Sequence, residues 1–282
     1  MRRGALLRGI GAAGLAALAG CSPRRAAVHA ADVLHGCVDT PVPSAHGVHV
    51  RRETFLSQYV PDAVRCVLVV PDGAGPTAVA YVLPGRGGTA QSALGLGLDG
   101  FLAEHLRRGG HPFALALVDA GESYFHARVS GEDRLSVATI ELPRIVRDVL
   151  GTTATRREAI MGQSMGGYGA LLAAEREPRR YKAVAVAGPA IFPSYEDEHR
   201  SVGDAFDSAA DYARHDVLTH AAALRGKPVR IEIGRRDPFL LGSRMFAKAC
   251  PTAEVIERAG CHDEGFWRTS ASSLLSFVGS HL

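Results

Sequence analysis

The stretch "EAIMGQSMGGYGALLAAEREP", residues 158–178, places one serine among small residues where the pattern of the sequence changes. A β-like run ends at Gly162, and a helical run of small residues begins directly after Ser164. The five residues from Gly162 to Gly166 match G-x-S-x-G, which in a strand-to-helix turn holds a strained and exposed nucleophilic serine. We therefore predict that Ser164 is a catalytic nucleophile. The alternative is a glycine-rich packing turn with an idle serine.

A serine nucleophile also needs two backbone N–H groups that stabilise the negative charge of the reaction intermediate. The residue after the nucleophile, Met165, is predicted to supply the first. The second is expected in "VLPGRGGTA", residues 82–90, a loop that follows an early buried strand. Arg86 is the first choice there and Gly87 the second, and a plain glycine-rich turn is the alternative.

The histidine base of such a site has to be positioned by an acid. His262 follows the last predicted strand in "ERAGCHDEGFW", residues 257–267, and Asp237 follows the predicted strand before it. Both side chains are therefore expected at the C-terminal edge of the sheet, where the strand before Ser164 also ends. The chain order Ser164, Asp237, His262 is the order of the α/β-hydrolases.

Other acids are weaker candidates for the orienting role. Asp263 is adjacent to His262, where the backbone makes a contact with the ring Nδ1 atom awkward. Asp211 and Asp216 lie in a stretch without a clear pattern, residues 189–224. We predict that this stretch is a cap-like insertion that covers the pocket and sets substrate choice.

Strand-like and helix-like segments alternate from the buried run "TAVAYVLPG", residues 77–85, to the C-terminus. This alternation predicts an α/β fold with a mostly parallel central sheet and helices on both faces. Strand-like segments that precede it without an intervening helix predict an antiparallel edge. The hydrolase domain is expected over residues 48–282, including a helix over residues 136–151.

Composition excludes one class of function. The 282-residue chain has 32 basic and 29 acidic residues. Residues 1–20 contain Arg2, Arg3 and Arg8 and no acid, so the remainder has 32 − 3 = 29 basic and 29 acidic residues. Because the remainder is close to neutral, it lacks the basic surface that nucleic-acid binding requires.

Residues 1–20 predict an export signal peptide. A basic start is followed by a Gly/Ala/Leu stretch that is too short to span a bilayer. Arg2-Arg3 resembles a twin-arginine signal, and Leu18-Ala19-Gly20-Cys21 resembles a lipobox in which Cys21 receives a lipid. We expect a protein of the cell envelope, held by its lipid on the outer face of the cytoplasmic membrane, with residues 21–47 as an anchored or flexible segment. An ordinary secretory signal and a secreted protein are the alternative.

Four further cysteines could form two disulfides in an oxidising compartment, and three pairings are possible. A Cys250–Cys261 pair is disfavoured because a predicted strand separates the two residues. No cysteine has the spacing of a zinc site, and no metal is expected. The four are Cys37, Cys66, Cys250 and Cys261.

Three motifs, "GQSMGGYGAL", "GRRDPF" and "GCHDEGFW", resemble esterases of the α/β-hydrolase superfamily, including S-formylglutathione hydrolase (esterase D) and the mycobacterial mycolyltransferases. The resemblance extends from about His49 to the C-terminus. It implies a Ser-His-Asp triad, no cofactor, and an aromatic pair after the histidine, here Phe266 and Trp267. This chain has Pro84-Gly85 where relatives often have His-Gly or Asp-Gly, and mycolyltransferases use a glutamate as the acid.

The expected function is that of an exported serine carboxylesterase that acts on a small-molecule or lipid ester. Phe266 and Trp267, together with Tyr124 and Phe125 in a loop at the same edge, are candidates for the substrate pocket; packing of a surface loop is the alternative for Tyr124 and Phe125. An acyltransferase would share every catalytic residue, with an alcohol or sugar in place of water. A catalytically silent, lipid-anchored binding protein is a third hypothesis.

Overall fold

A β-sheet lies at the centre of residues 36–73 and 75–282, the part of the chain that the computed structural model describes. In chain order the strands are β1 (Val48–Leu56), β2 (Ala63–Pro71), β3 (Ala78–Leu83), β4 (Ala114–Val118), β5 (Arg157–Gln163), β6 (Tyr181–Ala187), β7 (Val229–Gly234) and β8 (Glu254–Arg258). Across the sheet they follow the order β1-β2-β4-β3-β5-β6-β7-β8. The β1–β2 and β2–β4 pairs are antiparallel, and the other neighbouring pairs are parallel.

The predicted mostly parallel sheet with an antiparallel edge is confirmed. Every residue of β3 and β4 is buried, which explains the continuous apolar run of each strand. Parallel neighbours need a crossover between them, and helices provide these crossovers and cover the sheet. The carboxyl ends of β3 and β5 to β8 therefore lie at one edge, where the site is built.

Helices cover both faces of the sheet, as predicted. Phe101 and Leu274 belong to the apolar core on one face, and Val146, Leu171 and Phe246 belong to the core on the other. In chain order the helices are α1 (Ala90–Leu94), α2 (Leu98–Arg107), α3 (Arg134–Ser136), α4 (Leu142–Leu150), α5 (Met165–Arg176), α6 (Tyr195–Val202), α7 (Ala209–His215), α8 (Val217–His220), α9 (Leu240–Ala249) and α10 (Glu264–His281). In the described ranges, none is long and apolar enough to cross a membrane.

The helix predicted over residues 136–151 is interrupted. A π-helical turn, Val137–Glu141, separates α3 from α4, and the N–H of Leu142 donates to the carbonyl of Val137. Pro143 follows at the start of α4 and has no N–H to donate, which is tolerated only in a first helical turn.

The stretch predicted as a cap-like insertion contains α6, α7, α8 and a 3₁₀ turn, Ala221–Leu224. Arg128, from the loop after β4, holds it at one point: its guanidinium donates to Asp207 at 2.9 Å and to the carbonyl oxygens of Asp204 and Ala205 at 2.7 and 2.9 Å. The insertion is therefore tied to a loop at the carboxyl edge of the sheet.

The predicted domain start at residue 48 coincides with the first residue of β1. Backbone contacts group Cys37–Leu282 as one unit, so residues 37–47 pack with the hydrolase domain. The predicted signal peptide, residues 1–20, and Cys21 lie outside the described residues.

Glu175 in α5 should make stability depend on pH. Burial, then the nearby Asp216 and Cys250, raises the pKa of its carboxyl from 4.5 to about 9, and neither carboxylate oxygen has a hydrogen-bond partner in the described chain. Between these two pH values the native state holds a proton that the unfolded state has lost, so the free energy of unfolding falls as pH rises.

Glu175→Gln keeps the shape of the neutral carboxyl and removes its titration. We expect the variant to match the parent near pH 4.5 and to exceed it at pH 7 by on the order of 3 kcal/mol, several degrees in Tm. Thermal unfolding followed across pH measures this. Glu196→Gln, at an exposed position of α6, is the control; equal pH profiles for parent and Glu175→Gln would contradict the assignment.

Candidate active site

Ser164 lies in a sharp turn between β5 and α5. Its backbone has φ 55° and ψ −123°, a conformation that costs an L-residue energy and is kept where the surroundings enforce it. The Ser164 N–H donates to the carbonyl of Ala187 in β6, and its own carbonyl accepts from Tyr168 and Ala190. The backbone of the serine is thus fixed from three directions while its hydroxyl remains free to act.

The glycines around the serine are required by contact between backbones. A Cβ atom on Gly162 would overlap the carbonyl of Gly166, and one on Gly166 would overlap the carbonyl of Leu83. A Cβ on Gly85, in the loop after β3, would lie 3.4 Å from the Ser164 Cβ. The small residues of the opening stretch therefore allow β5, α5 and the loop after β3 to meet at the serine.

The structure brings the three predicted catalytic residues together. His262, in the loop after β8, has its Nε2 atom 2.9 Å from Ser164 Oγ and its Nδ1 atom 2.8 Å from Asp237 Oδ2. This network assigns the proton to Nδ1, which donates to the carboxylate, and leaves Nε2 to accept the serine hydroxyl. Asp237 is buried, and its other oxygen accepts the Phe239 N–H at 2.8 Å.

The weaker acid candidates have other contacts. Asp263 Oδ1 accepts the Phe266 N–H at 2.8 Å and caps α10. Asp216 Oδ1 accepts the Leu218 N–H at 2.9 Å and caps α8. Asp211 accepts from Arg214 at 2.9 Å within the insertion. Asp237 is the carboxylate that contacts His262.

Two backbone N–H groups suit the predicted oxyanion hole. Met165 is the first residue of α5, so its N–H has no acceptor inside the helix. The Arg86 N–H makes no hydrogen bond with any residue that the structure describes. The Gly87 N–H donates to the carbonyl of Gly121 at 2.8 Å and is engaged. The geometry favours Arg86 over Gly87.

Gly188, which follows β6, makes room for the acid and the base. A Cβ there would lie 2.8 Å from Asp237 Oδ2 and 3.3 Å from His262 Nδ1, and φ is +52°. Sequence reasoning missed this residue. The sequence could have indicated Gly188 in the way it indicated Asp237 and His262, because it lies just after a strand of the parallel sheet.

Aromatic rings surround the histidine. Phe239 and Trp267 contact the His262 ring edge-on, with centroids 5.0 and 5.7 Å away. Phe239 contacts Phe192, which contacts Tyr124 at 5.8 Å. Of the predicted pocket residues, Trp267 is beside the base and Tyr124 is connected to it through two rings that sequence reasoning missed.

The other two predicted pocket residues are fully buried. Phe125 packs on Gly169 of α5, and Phe266 packs on Gly260 of the His262 loop. Each ring occupies the space that a side chain on the glycine would take. Their contacts support the walls of the site from behind.

One buried carboxyl near these rings was also missed, because no motif marks its position in α6. Glu198 is fully buried, and neither of its oxygens has a hydrogen-bond partner in the described ranges. Burial raises the pKa of this carboxyl to about 7, and the nearby His199, Arg128 and Arg86 oppose a further rise. The Glu198 carboxyl thus lies within electrostatic reach of Arg86, whose N–H is a candidate donor of the oxyanion hole.

One group of metal-ligating side chains lies away from the serine, between the loop after β4 and the insertion. His126, Asp211 and His215 have ligand atoms within 4.8 Å of one another. The His126 nitrogens already lie 3.1 Å from the carbonyls of Ala127 and Ala205, and the His215 Nδ1 lies 2.8 Å from the Asp211 carbonyl. These contacts fasten the insertion and engage both ring nitrogens of His126 and the Nδ1 atom of His215.

Comparison with known proteins agrees with this geometry. The family model described as "Putative esterase" matches residues 121–267, just over half of the chain. The sheet order, the strained serine and the Ser-His-Asp contacts define an α/β-hydrolase. The chain belongs to this esterase family, and the predicted resemblance is confirmed.

Curated relatives match over part of their length. The S-formylglutathione hydrolase of Paracoccus denitrificans (strain Pd 1222) is 38% identical over 108 residues, 36% of this chain and 37% of the relative. That of Bos taurus is 40% identical over 135 residues, 43% and 45% of the two chains. The chain thus spans less than half of the length of these relatives.

A solved structure confirms the fold over most of the chain. The S-formylglutathione hydrolase from Agrobacterium tumefaciens superposes with a TM-score of 0.68 at 19% identity, over 86% of this chain and 98% of that one. At this identity the similarity establishes the fold alone.

Gly188→Ala should disable the site without unfolding the protein. The added methyl group would push Asp237 Oδ2 and the His262 ring apart, and a displacement of about 1 Å can lower kcat roughly 100-fold. Gly203→Ala is the matched control, because Gly203 also has positive φ, +68°, with nothing within 4 Å of the added atom. Steady-state kinetics and Tm compare the two; equal kcat values for both variants would contradict the role of Gly188.

Proposed function

We propose that this chain is an exported serine carboxylesterase that hydrolyses carboxylic esters through an acyl-enzyme on Ser164. The observation that carries the proposal is the line of contacts from Ser164 Oγ to His262 Nε2 at 2.9 Å and from His262 Nδ1 to Asp237 Oδ2 at 2.8 Å. Membership of the esterase family supports the reaction class. The substrates of the relatives are a starting point for the assay, not an assignment.

Acylation begins when Ser164 Oγ attacks the ester carbonyl carbon. His262 Nε2 takes the hydroxyl proton as the C–O bond forms, and the Asp237 carboxylate stabilises the resulting imidazolium through Nδ1–H. The Asp237 carboxylate accepts Nδ1–H and holds the ring in the tautomer that leaves Nε2 free. Collapse of the tetrahedral intermediate transfers the proton from Nε2 to the leaving alcohol oxygen, and the acyl group stays on Ser164.

The negative charge of the tetrahedral intermediate is accepted by the Met165 and Arg86 N–H groups. Met165 lies at the N-terminus of α5, a helix of 12 residues, where the unsatisfied N–H groups carry partial positive charge. Because the backbone of both donors is fixed before the substrate arrives, little reorganisation is needed in the transition state.

Deacylation repeats the steps with a second nucleophile. A water molecule gives its proton to His262 Nε2 and attacks the acyl carbon. The bond from the acyl carbon to Ser164 Oγ then breaks, His262 Nε2 returns the proton to Oγ, and the carboxylic acid leaves. An alcohol or sugar in place of water would make the same site an acyltransferase. Product analysis with and without a sugar acceptor separates the two reactions: free acid alone supports hydrolysis, and acylated sugar supports transfer.

Ser164→Ala should abolish both ester hydrolysis and labelling by a fluorophosphonate. Asp237→Asn should still be labelled on Ser164, more slowly than the parent, and should lower kcat by about 10⁴, because the amide favours the wrong tautomer of His262. The assay uses S-formylglutathione and a panel of esters with graded acyl length, and Ser276→Ala, at an exposed position of α10, is the control. If Ser164→Ala labels and hydrolyses as the parent does, the chain is a binding protein with this fold.

The export part of the proposal rests on the signal-like residues 1–20 and on a disulfide. Cys37 and Cys261 are bonded, with Cα atoms 5.0 Å apart, and such bonds persist in oxidising compartments outside the cytoplasm. A lipid on Cys21 would hold the hydrolase domain on the outer face of the membrane through the residues that precede Cys37.

Cys21→Ser should release the protein from the membrane. In a bacterial host, the parent is expected in the membrane fraction with a lipid label, and the variant in the soluble envelope or medium. Cells are grown with a radiolabelled fatty acid and separated into membrane and soluble fractions, which measures both the lipid label and the location of the protein. An unlabelled parent with residues 1–20 intact in the cytoplasm would contradict both export and lipidation.

A further inference from the structure

The disulfide joins the segment before β1 to the loop that carries the catalytic histidine. Cys261 directly precedes His262 in the loop after β8, and its partner Cys37 is 224 residues earlier in the chain. The other described cysteines, Cys66 and Cys250, are buried free thiols. The bond therefore acts on the backbone of the loop that carries the base.

Residues 37–47, which we call the N-terminal strap, are attached along α10 after the disulfide. The carboxylate of Asp39 accepts two hydrogen bonds from Arg268, at 2.7 and 3.0 Å, and Thr40 Oγ1 lies 2.9 Å from Thr269 Oγ1. The Val38 carbonyl packs so closely on Gly265 that a side chain there would overlap it. Near Cys37 the strap is thus fixed to the first turns of α10, which begins two residues after His262.

The far end of the strap is attached elsewhere. Arg107, in α2, donates to the carbonyls of Ser44 and His46 at 3.1 Å each. The Pro43 carbonyl packs on Gly100 of α2. These contacts hold the strap to the domain without involving the His262 loop. The two attachments of the strap can therefore be tested separately.

The His262 loop is held from two sides. On the inner side, the Arg236 N–H donates to the Gly260 carbonyl at 3.0 Å, which links the loop to the turn that carries Asp237. On the outer side, the covalent bond at Cys261 holds the next residue against the strap. The imidazole between these anchors must keep Nε2 at 2.9 Å from Ser164 Oγ, a distance at which small shifts are costly.

We propose that the Cys37–Cys261 disulfide is a positioning element for the catalytic base: the bond between the N-terminal strap and the loop after β8 holds His262 in line with Ser164. The inference rests on the proposed function, in which His262 Nε2 accepts the Ser164 proton. Loss of the bond leaves Ser164, Asp237 and the oxyanion N–H groups in place and lets the histidine drift. The esterase is therefore fully active in its oxidised form and weakly active in its reduced form.

Reduction by a dithiol tests this on the unmodified protein. The reductant transfers two electrons and two protons to the sulfurs, which become the thiols of Cys37 and Cys261, and it is itself oxidised to a cyclic disulfide. Below its unfolding temperature, the reduced protein should lose kcat about tenfold or more with KM changed less than twofold, because binding surfaces stay in place. Reoxidation should restore kcat. Burial raises the pKa of Cys66 to about 12, so this thiol is protonated and does not compete in the exchange.

Variants separate positioning from general stability. Cys37→Ala should lower kcat and the rate of fluorophosphonate labelling of Ser164 by the same factor as reduction, and reductant should have no further effect on it. Arg107→Gln, which loosens the far end of the strap, should lower Tm with kcat unchanged. Cys250→Ala, at a free thiol, should keep the response of kcat to reductant.

Two outcomes overturn the inference: a reduced, folded protein with the kcat and labelling rate of the oxidised form, or equal loss of kcat in Arg107→Gln and Cys37→Ala. Hydrogen exchange of residues 259–263 gives a readout independent of turnover and should rise on reduction. The proposed function fails differently, if the oxidised parent shows no hydrolysis that depends on Ser164. If Cys37→Ala does not fold, the reduction of the parent protein still decides the question.

Discussion

Close contacts between glycine residues and neighbouring backbone, where a side chain would not fit, hold the active site in place. Gly162 and Gly166 let the end of β5 and the start of α5 touch, and Gly166 also lies against the carbonyl of Leu83 at the end of β3. This approach holds the backbone of Ser164 at φ 55°. The packing of the sheet and helix around it offsets the energetic cost of that conformation. Since β3 also leads to the Arg86 N–H, one close contact sets both the nucleophile and a donor of the oxyanion hole.

The other parts of the site come from the direction of the strands. β5, β6, β7 and β8 are parallel, so their following residues Ser164, Gly188, Asp237 and His262 all meet at one edge. The turn after β7 and the loop after β8 are joined by hydrogen bonds of Arg235 and Arg236 to the carbonyls of Arg258 and Gly260. These hydrogen bonds link the turn that carries the acid to the start of the loop that carries the base.

Sequence alone predicted what depends on local pattern. Ser164, Asp237 and His262 each follow a segment predicted as a strand, so their shared edge follows from the parallel topology. The rest depends on distances between remote segments. The Cys37–Cys261 pairing requires the path of the N-terminal strap over α10, and the buried Glu198 requires the fold of the insertion. The π-helical turn at Val137–Glu141 lies just before Pro143, which cannot donate a hydrogen bond, and the helical periodicity of the sequence does not reveal it.

The separation of the two bonded cysteines has a consequence for biosynthesis. Cys37 is synthesised 224 residues before Cys261, and Cys66 and Cys250 both appear in between. In the finished domain those two thiols are buried, Cys66 in β2 and Cys250 just after α9. Once the sheet has folded around them, neither thiol is accessible for thiol–disulfide exchange. Cys37 and Cys261 are then the cysteines that remain available to pair. Formation of the Cys37–Cys261 bond is therefore expected to follow the folding of the core.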